Sequence, residues 1–330
     1  MPNTNFDVVG IGNAIVDVLA HAEDSFLESH DLIKGTMSLI DSKAADKLYD
    51  EMAPALECSG GSVANTIASL ASLGGRGAFI GKVRDDQLGD IFRHDIRAMG
   101  IAFETKPSRY SAATARCLIL VTPDAQRTMQ TYLGACVELG PDDIDEDMIA
   151  ASRVTYLEGY LWDPPKAMEA FVKAATIARK AGRKVALSLS DPMCVNRHRA
   201  DFIDLVDNHT DILFANEAEI TSLYQEGSFD AALQKVRGHC EIAALTRSEK
   251  GAVVISGDEV HVLDAEPVEK VVDTTGAGDA YAAGFLYGLT DGRGLYDCGR
   301  MGSIASAEVI SHFGARPDAP LDKLIRQKLG

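Results

Sequence analysis

The sequence predicts an α/β fold, a mostly parallel sheet with helices on both faces, carrying a small β-sheet lid. Two observations lead there. Short β-branched runs alternate with amphipathic stretches of helical length, as strand–helix–strand units require. Residues 13–41 and about 101–134 break that rhythm with short strand patterns and turn signals. A chain of 330 residues with 46% hydrophobic content suits one large domain with a small appendage. Residues 1–330 are therefore read as a single domain. Its discontinuous lid would lie over the carboxyl edge of the sheet, where open α/β sheets bind ligands.

Phe6–Ile11 is the first strand, followed by Gly10-Ile11-Gly12-Asn13-Ala14-Ile15-Val16-Asp17. Gly10-x-Gly12 after a strand invites a dinucleotide reading, but Ile15 stands where the third glycine belongs and no helix pattern follows. Asp17 lies between Val16 and Val18, where an acid is either exposed at an edge or aimed at a polar ligand such as a diol. Ser59-Gly60-Gly61-Ser62-Val63-Ala64-Asn65-Thr66 opens a helix over Ser62–Leu73. Its paired glycines permit close approach by a ligand. Asn65, one turn in, can both donate to and accept from a hydroxyl pair. The alternative is an ordinary turn before a small-residue buried helix.

Strand Gly77–Val83 and helix Gln87–Met99 come next. Thr114–Val121 and Arg127–Leu133, separated by Thr122-Pro123-Asp124-Ala125-Gln126, read as a hairpin. The acidic run Asp142–Asp147 decorates a helix start. Strands Val154–Leu157, Lys184–Leu189, Asp211–Phe214, Ile242–Thr246 and Ala252–Ser256 then alternate with helices Pro165–Ala181 and Glu217–Tyr224. Helices Ala277–Thr290 and Leu295–Phe313 follow.

The most informative stretch is Asp273-Thr274-Thr275-Gly276-Ala277-Gly278-Asp279. A helix N-terminus without bulky side chains presents its backbone N–H groups to an anion, and the helix dipole adds attraction. A carboxylate there repels phosphate. Asp279 makes sense if it takes a proton from a hydroxyl that attacks the phosphate; otherwise it is an acid capping a helix.

A formal charge of -17 disfavours a protein that tracks the nucleic-acid backbone, since such binding needs a basic stripe. Six scattered cysteines, without a CxxC pair, read as reduced thiols. No leader pattern precedes the first strand, and no apolar run approaches the roughly 18 residues of a membrane span. The expectation is a cytoplasmic protein with no membrane or nucleic-acid partner.

The segments GGSVANTIASLASLGG and DTTGAGDAYAAGFL together resemble the two signatures of the PfkB-type, ribokinase-like carbohydrate and nucleoside kinases. GNAIVD resembles the adenosine kinase branch in particular. Asn216-Glu217-Ala218-Glu219 and Thr246-Arg247-Ser248-Glu249-Lys250-Gly251 fall between them in the family's order, so the resemblance spans nearly the whole chain. It implies a ribokinase-like fold and ATP-dependent phosphorylation with Mg²⁺, and K⁺ as a monovalent cation. Asp279 is then the base, and Gly276, Ala277 and Gly278 supply the anion hole. Asp17 binds a ribose diol, assisted by Asn13, Gly61, Ser62 and Asn65. Asn216 and Glu219 organise water-bound Mg²⁺ and the nucleotide phosphates. Thr246, Ser248 and Gly251 form a turn near the phosphates, with Ser248 replacing the family's glycine. Arg127 matches a lid arginine that reaches the phosphates on closure, and Asp273 belongs to a monovalent-cation loop with partners between Val309 and Arg316.

By the same resemblance Ile15, Leu39 and Met129 contact adenine, although such residues equally suit a half-buried lid strand. Tyr160 and Trp162 are further candidates to face the base, the alternative for Trp162 being simple packing. The expected reaction is phosphorylation of the 5′-hydroxyl of adenosine to AMP. A ribokinase- or fructokinase-like sugar kinase, another nucleoside kinase and a non-catalytic nucleoside-binding protein stay open, and the failed GxGxxG disfavours a dehydrogenase. A monomer is expected over a dimer, with a lid hinge near residues 13–17 and 100–105.

Overall fold

The computed structural model describes residues 4–110, 112–124 and 126–330. Its strands are β1 (Phe6–Ile11), β2 (Ile15–His21), β3 (Met37–Leu39), β4 (Leu56–Gly60), β5 (Gly77–Ile80), β6 (Ala115–Val121) and β7 (Arg127–Tyr132). They continue with β8 (Ser152–Glu158), β9 (Lys184–Ser188), β10 (Ile212–Asn216), β11 (Ile242–Thr246), β12 (Ala252–Ser256) and β13 (Glu259–Leu263). The helices are α1 (Asp24–Ser29), α2 (Ser42–Glu51), α3 (Ser62–Ser72), α4 (Gln87–Ala98), α5 (Glu146–Ala150), α6 (Pro165–Lys180) and α7 (Pro192–Arg197). After them come α8 (Arg199–His209), α9 (Glu217–Tyr224), α10 (Phe229–Val236), α11 (Ala277–Thr290), α12 (Leu295–Val309) and α13 (Leu321–Leu329).

An eight-stranded sheet runs β13-β12-β11-β10-β9-β8-β1-β5. Six of its strands pair in parallel, β12 runs against them, and β13 pairs antiparallel with β12 at the edge. Strands buried on both faces alternate their side chains between two cores. Val9, Leu157, Leu187 and Leu213 pack under α6, α8 and α9. Val8, Tyr156, Ala186 and Phe214 pack under α3 and α11. Gly10 serves this packing: a Cβ there would stand 2.4 Å from Val63 and 2.9 Å from Ile67, so glycine lets α3 lie against β1. The glycines that invited a dinucleotide reading thus make room for protein.

A five-stranded sheet, β3-β7-β6-β2-β4, stands apart from the large one. One face, with Val16, Val18, Leu118 and Leu120, joins the second core together with Leu27 of α1 and Leu48 of α2. The other carries Ile15, Leu19, Cys117, Ile119, Val121 and Met129. The hairpin is β6–β7, and Ala125 in its turn lies outside the described residues. Strand β4 falls beyond the 13–41 insertion, and among the described residues 101–113 supply only isolated bridges at Ala102 and Ser108.

Other boundaries differ for local reasons. β5 ends at Ile80, not Val83, as Gly81 crosses within reach of the Gly12 carbonyl. α12 ends at Val309, not Phe313, because the Ile310 carbonyl accepts from Val272 N–H at 2.8 Å. In the acidic run, Asp145 caps α5 and Asp143 pairs with Lys82. Among the described residues no helix is long and apolar enough to cross a membrane.

Candidate active site

The carboxyl ends of the parallel strands gather the candidate residues along one edge. β1 leads into Gly12 and Asn13, β8 ends on Glu158, β10 ends on Asn216 and β11 on Thr246. Asn216 and Thr246 are register partners, which sets the Asn216–Glu219 and Thr246–Gly251 turns side by side.

α11 begins where this edge meets the small sheet. Gly276 is its N-cap, with φ of 78°, and a Cβ there would fall 2.5 Å from the Ala315 carbonyl. Only glycine suits that left-handed, crowded position. A Cβ at Gly278 would meet nothing within 4 Å, so this residue faces open space. Gly278 and Asp279 occupy the first helical turn, whose N–H groups lack intrahelical acceptors. The Ala277 N–H is already donated to the Thr274 carbonyl at 3.2 Å, which leaves it a weaker contributor to an anion hole than expected.

Asp279 accepts a hydrogen bond from Ser62 Oγ at 2.6 Å. Burial pushes its carboxyl up to about 7, the Ser62 bond opposes that shift, and the charge of Glu158 adds to it. Ser62, expected on a substrate hydroxyl, is thus bound to the expected base. Ser62 opens α3 because Gly61 caps it at φ of 100°, where a Cβ would stand 2.2 Å from the Asn13 carbonyl.

Asp17 sits on β2 between two thiol-bearing neighbours, paired with Cys58 on β4 and Cys117 on β6. A Cβ at Gly60 would stand 2.4 Å from its carboxylate. Burial pushes Asp17 up to about 6, opposed by the charges of Arg316 and Arg127. Thr131 and Leu39 extend the Asp17 row across β7 and β3. Leu39 is exposed, and Ile15 and Met129 are half-buried. Besides Asp17 this face carries Thr131 and Arg127, and the rest of it is mainly apolar.

Asn13, expected to assist at the diol, is engaged through one end of its amide, and its Oδ1 is buried with no hydrogen-bond partner among the described residues. Its Nδ2 donates to Glu158 Oε1 at 2.7 Å, while Val63 N–H donates to Glu158 Oε2 at 3.0 Å. Glu158, fully buried and pushed up to about 7 by desolvation, ties the β1–β2 connection to the start of α3. A Cβ at Gly12 would fall 2.2 Å from that carboxylate.

Asn216 and Glu219 form a reciprocal capping box: Glu219 N–H donates to Asn216 Oδ1, and Asn216 N–H and Nδ2 donate to the Glu219 carboxylate at 2.9 and 2.6 Å. Burial pushes Glu219 up to about 7, and the nearby Asp191 carboxylate adds to the rise. Ser248 takes a left-handed φ of 52°, the conformation a glycine would adopt freely. Gly251 is obligatory at φ of 82°, since a Cβ would stand 1.9 Å from the Leu263 carbonyl.

Arg127 lies 2.7 Å from Asp273. Asp273 also accepts from Thr275 N–H at 3.0 Å and Gly314 N–H at 3.1 Å. The carboxylate assigned by resemblance to a monovalent-cation loop is therefore held by a guanidinium and two backbone donors. Trp162 does not face the cleft: it is buried with Phe171 and Phe202, while Tyr160 is partly exposed.

Glu158 and Asp95 have no role in the sequence-based expectations, Gly60 enters them only as one of the paired glycines, and Arg316 only as the end of the range expected to partner the cation loop. Glu158 carries a signal, an acid directly after the apolar run Val154–Leu157. Arg316 joins the site through contacts across 251 and 221 residues, to Asn65 and Asp95, and Asp95 also through Ser59, 36 residues away.

The profile of the pfkB family of carbohydrate kinases matches residues 53–322. The chain is similar to the crystal structure of adenosine kinase from Sinorhizobium meliloti, with 53% identity, a TM-score of 0.90 and coverage of 98% of this chain and 99% of that one. It is also similar to a probable sugar kinase protein from Rhizobium etli CFN 42, with 51% identity, a TM-score of 0.91 and the same coverage of 98% and 99%. Adenosine kinase of Saccharomyces cerevisiae is 26% identical over 344 residues, 97% of this chain and 99% of that protein.

Proposed function

The chain belongs to the pfkB family of carbohydrate kinases and is a phosphotransferase acting on a hydroxyl group; from that premise we propose that it phosphorylates the 5′-hydroxyl of adenosine to AMP, with ATP as donor. One observation carries the choice of acceptor. Among the described residues Asp17 is the one acid on a face that carries Ile15, Leu19, Ile119, Met129 and Leu39, with the thiols of Cys58 and Cys117, the Thr131 hydroxyl and the Arg127 guanidinium beside them. A nucleoside needs one diol clamp and an apolar slot for its base, whereas a bare sugar needs polar partners around its ring. The adenosine kinases among the similar proteins support the same reading.

In this mechanism Asp279 takes the 5′-hydroxyl proton. A carboxyl near 7 suits that task, because a base works best when its pKa lies near the operating pH. Ser62 holds it by a hydrogen bond. The Gly276–Asp279 turn stabilises charge on the transferring phosphoryl group, and Arg127 adds a cation from the small sheet, acting as a lid.

Glu219 and Asp191 fit Mg²⁺ as an acidic pair whose mutual repulsion a cation relieves. Mg²⁺ keeps several waters and takes one or two carboxylates along with substrate phosphates. Bound there, it would neutralise phosphate charge. Among the described residues no three carboxylate, His or Cys side chains converge, so no more than two side chains of those kinds would serve it.

A panel of adenosine, inosine, ribose and fructose with ATP and Mg²⁺ tests the proposal, with ADP formation as the readout. Adenosine should turn over fastest. Turnover of ribose or fructose without adenosine would establish the sugar-kinase reading that the Rhizobium etli neighbour supports.

A further inference from the structure

Arg316 enters the acceptor end of the cleft from the segment after α12. Its guanidinium holds its donors in a rigid plane. Nε donates to Asn65 Oδ1 at 3.0 Å. Nη1 donates to Asp95 Oδ2 at 3.2 Å and lies 3.8 Å from Met99 Sδ. Nη2 is buried and finds no hydrogen-bond partner among the described residues. A buried donor left unpaired is unfavourable, which makes Nη2 a group awaiting an acceptor.

Its neighbours say where that acceptor would come from. Asp95 also accepts from Ser59 N–H at 2.8 Å. Ser59 lies on β4 between Cys58, the register partner of Asp17, and Gly60, which abuts the Asp17 carboxylate. Arg316, Asn65 and Asp17 thus line one wall. A hydroxyl both donates and accepts; Asp17 as a carboxylate can only accept, so a bound hydroxyl needs a second, donating partner. Asn65 is fixed by the same contact. With Oδ1 turned to Arg316, its amide nitrogen is the end left for Asp279 and the reacting hydroxyl.

We propose that Arg316 is a specificity-determining residue, whose Nη2 donates to the acceptor hydroxyl that Asp17 binds and whose Nε sets the orientation of Asn65. The inference rests on the reading above, in that the acceptor presents a hydroxyl pair to Asp17. Arg316 also holds Asp17 toward its charged form against burial, consistent with a shared ligand.

The test compares Arg316→Gln and Arg316→Lys with the wild type on adenosine, 2′-deoxyadenosine and 3′-deoxyadenosine, with thermal melting as a check of folding. KM for adenosine should rise about tenfold or more, the worth of one charged hydrogen bond, with KM for ATP unchanged. The preference for adenosine over at least one deoxy analogue should fall by a similar factor. Lys, which keeps the charge without the fork, should recover only part of it. A role confined to the Asp95 ion pair would lower melting but leave the ribo-to-deoxy ratio in place, and an unchanged ratio in both variants overturns the proposal. If Arg316→Gln does not fold, Arg316→Lys carries the comparison. If the wild type phosphorylates a sugar and not adenosine, the function reading falls, and the same ratio is read on that sugar and its deoxy analogues.

Discussion

Arg127, on β7 of the small sheet, lies 2.7 Å from Asp273, three residues before the glycine that opens α11, and both side chains are only 7% exposed. The guanidinium also sits over the Phe313 ring at 5.6 Å. This pair joins the small sheet to the turn proposed to hold the transferring phosphoryl group. Arg127 Nε finds no hydrogen-bond partner among the described residues, leaving a donor for a phosphate oxygen.

Arg127→Gln should therefore lower kcat by about 100-fold, the typical loss on removing one donor to a developing charge. Removing one partner of a buried ion pair should also cost about 3 kcal/mol of stability. Steady-state kinetics and chemical denaturation measure the two effects, and an unaltered kcat would remove Arg127 from the mechanism.

Asp279→Asn should reduce kcat by about a thousandfold, within the range for loss of a general base. Adenosine binding by calorimetry should stay close to wild type, because the amide still accepts from Ser62. Retained turnover would refute the assignment of the base.

The raised carboxyl of Asp279 fixes the sign of two pH dependences. The base must be ionised, so kcat/KM should fall about tenfold per unit as pH drops below about 7. For folding the sign is opposite. A carboxyl whose folded pKa lies above its unfolded value contributes stability below about pH 4, and that stability is lost as pH rises through about 7. Melting temperatures of wild type and Asp279→Asn should hence diverge between pH 4 and 8, with the variant the more stable at pH 8. A constant difference between them across that range would contradict the raised carboxyl.

Gly60→Ala places a methyl 2.4 Å from the Asp17 carboxylate. Displacing that side chain should raise KM for the acceptor about tenfold or more, on the scale of one charged hydrogen bond, and leave KM for ATP unchanged. Equal increases in both constants would indicate general distortion instead.

Ser248→Gly should be stabilising, by about 1 kcal/mol, since a left-handed φ of 52° strains a residue with a Cβ. Chemical denaturation checks it. A loss of stability would mean that the serine side chain offsets the strain through contacts of its own.

Much of the architecture was legible because it depends on local patterning. The alternation of strands and helices, the α11 turn with Gly276, and the capping box of Asn216 and Glu219 are each encoded within a few residues. Short elements escaped for the complementary reason. β13 is an edge strand with Val260 and Val262 exposed, and α1 is six residues long, so neither carries a strong hydrophobic period. Trp162 looked like a candidate for the cleft because it follows the end of β8, but its ring is drawn into the core between Phe171 and Phe202.

The sequence by itself determined the parallel α/β sheet, the glycines at the turns and the identity of Asp279 as the acid at the start of α11. These follow from backbone sterics and periodicity, which act over one or two turns of chain. Only the tertiary structure decided what each polar group faces. Ser62 reaches Asp279 across 217 residues, Asn13 reaches Glu158 across 145, and Arg316 reaches Asn65 across 251. Such pairings leave no periodic trace, because they are fixed when the sheet edge closes and each buried polar group must find a partner.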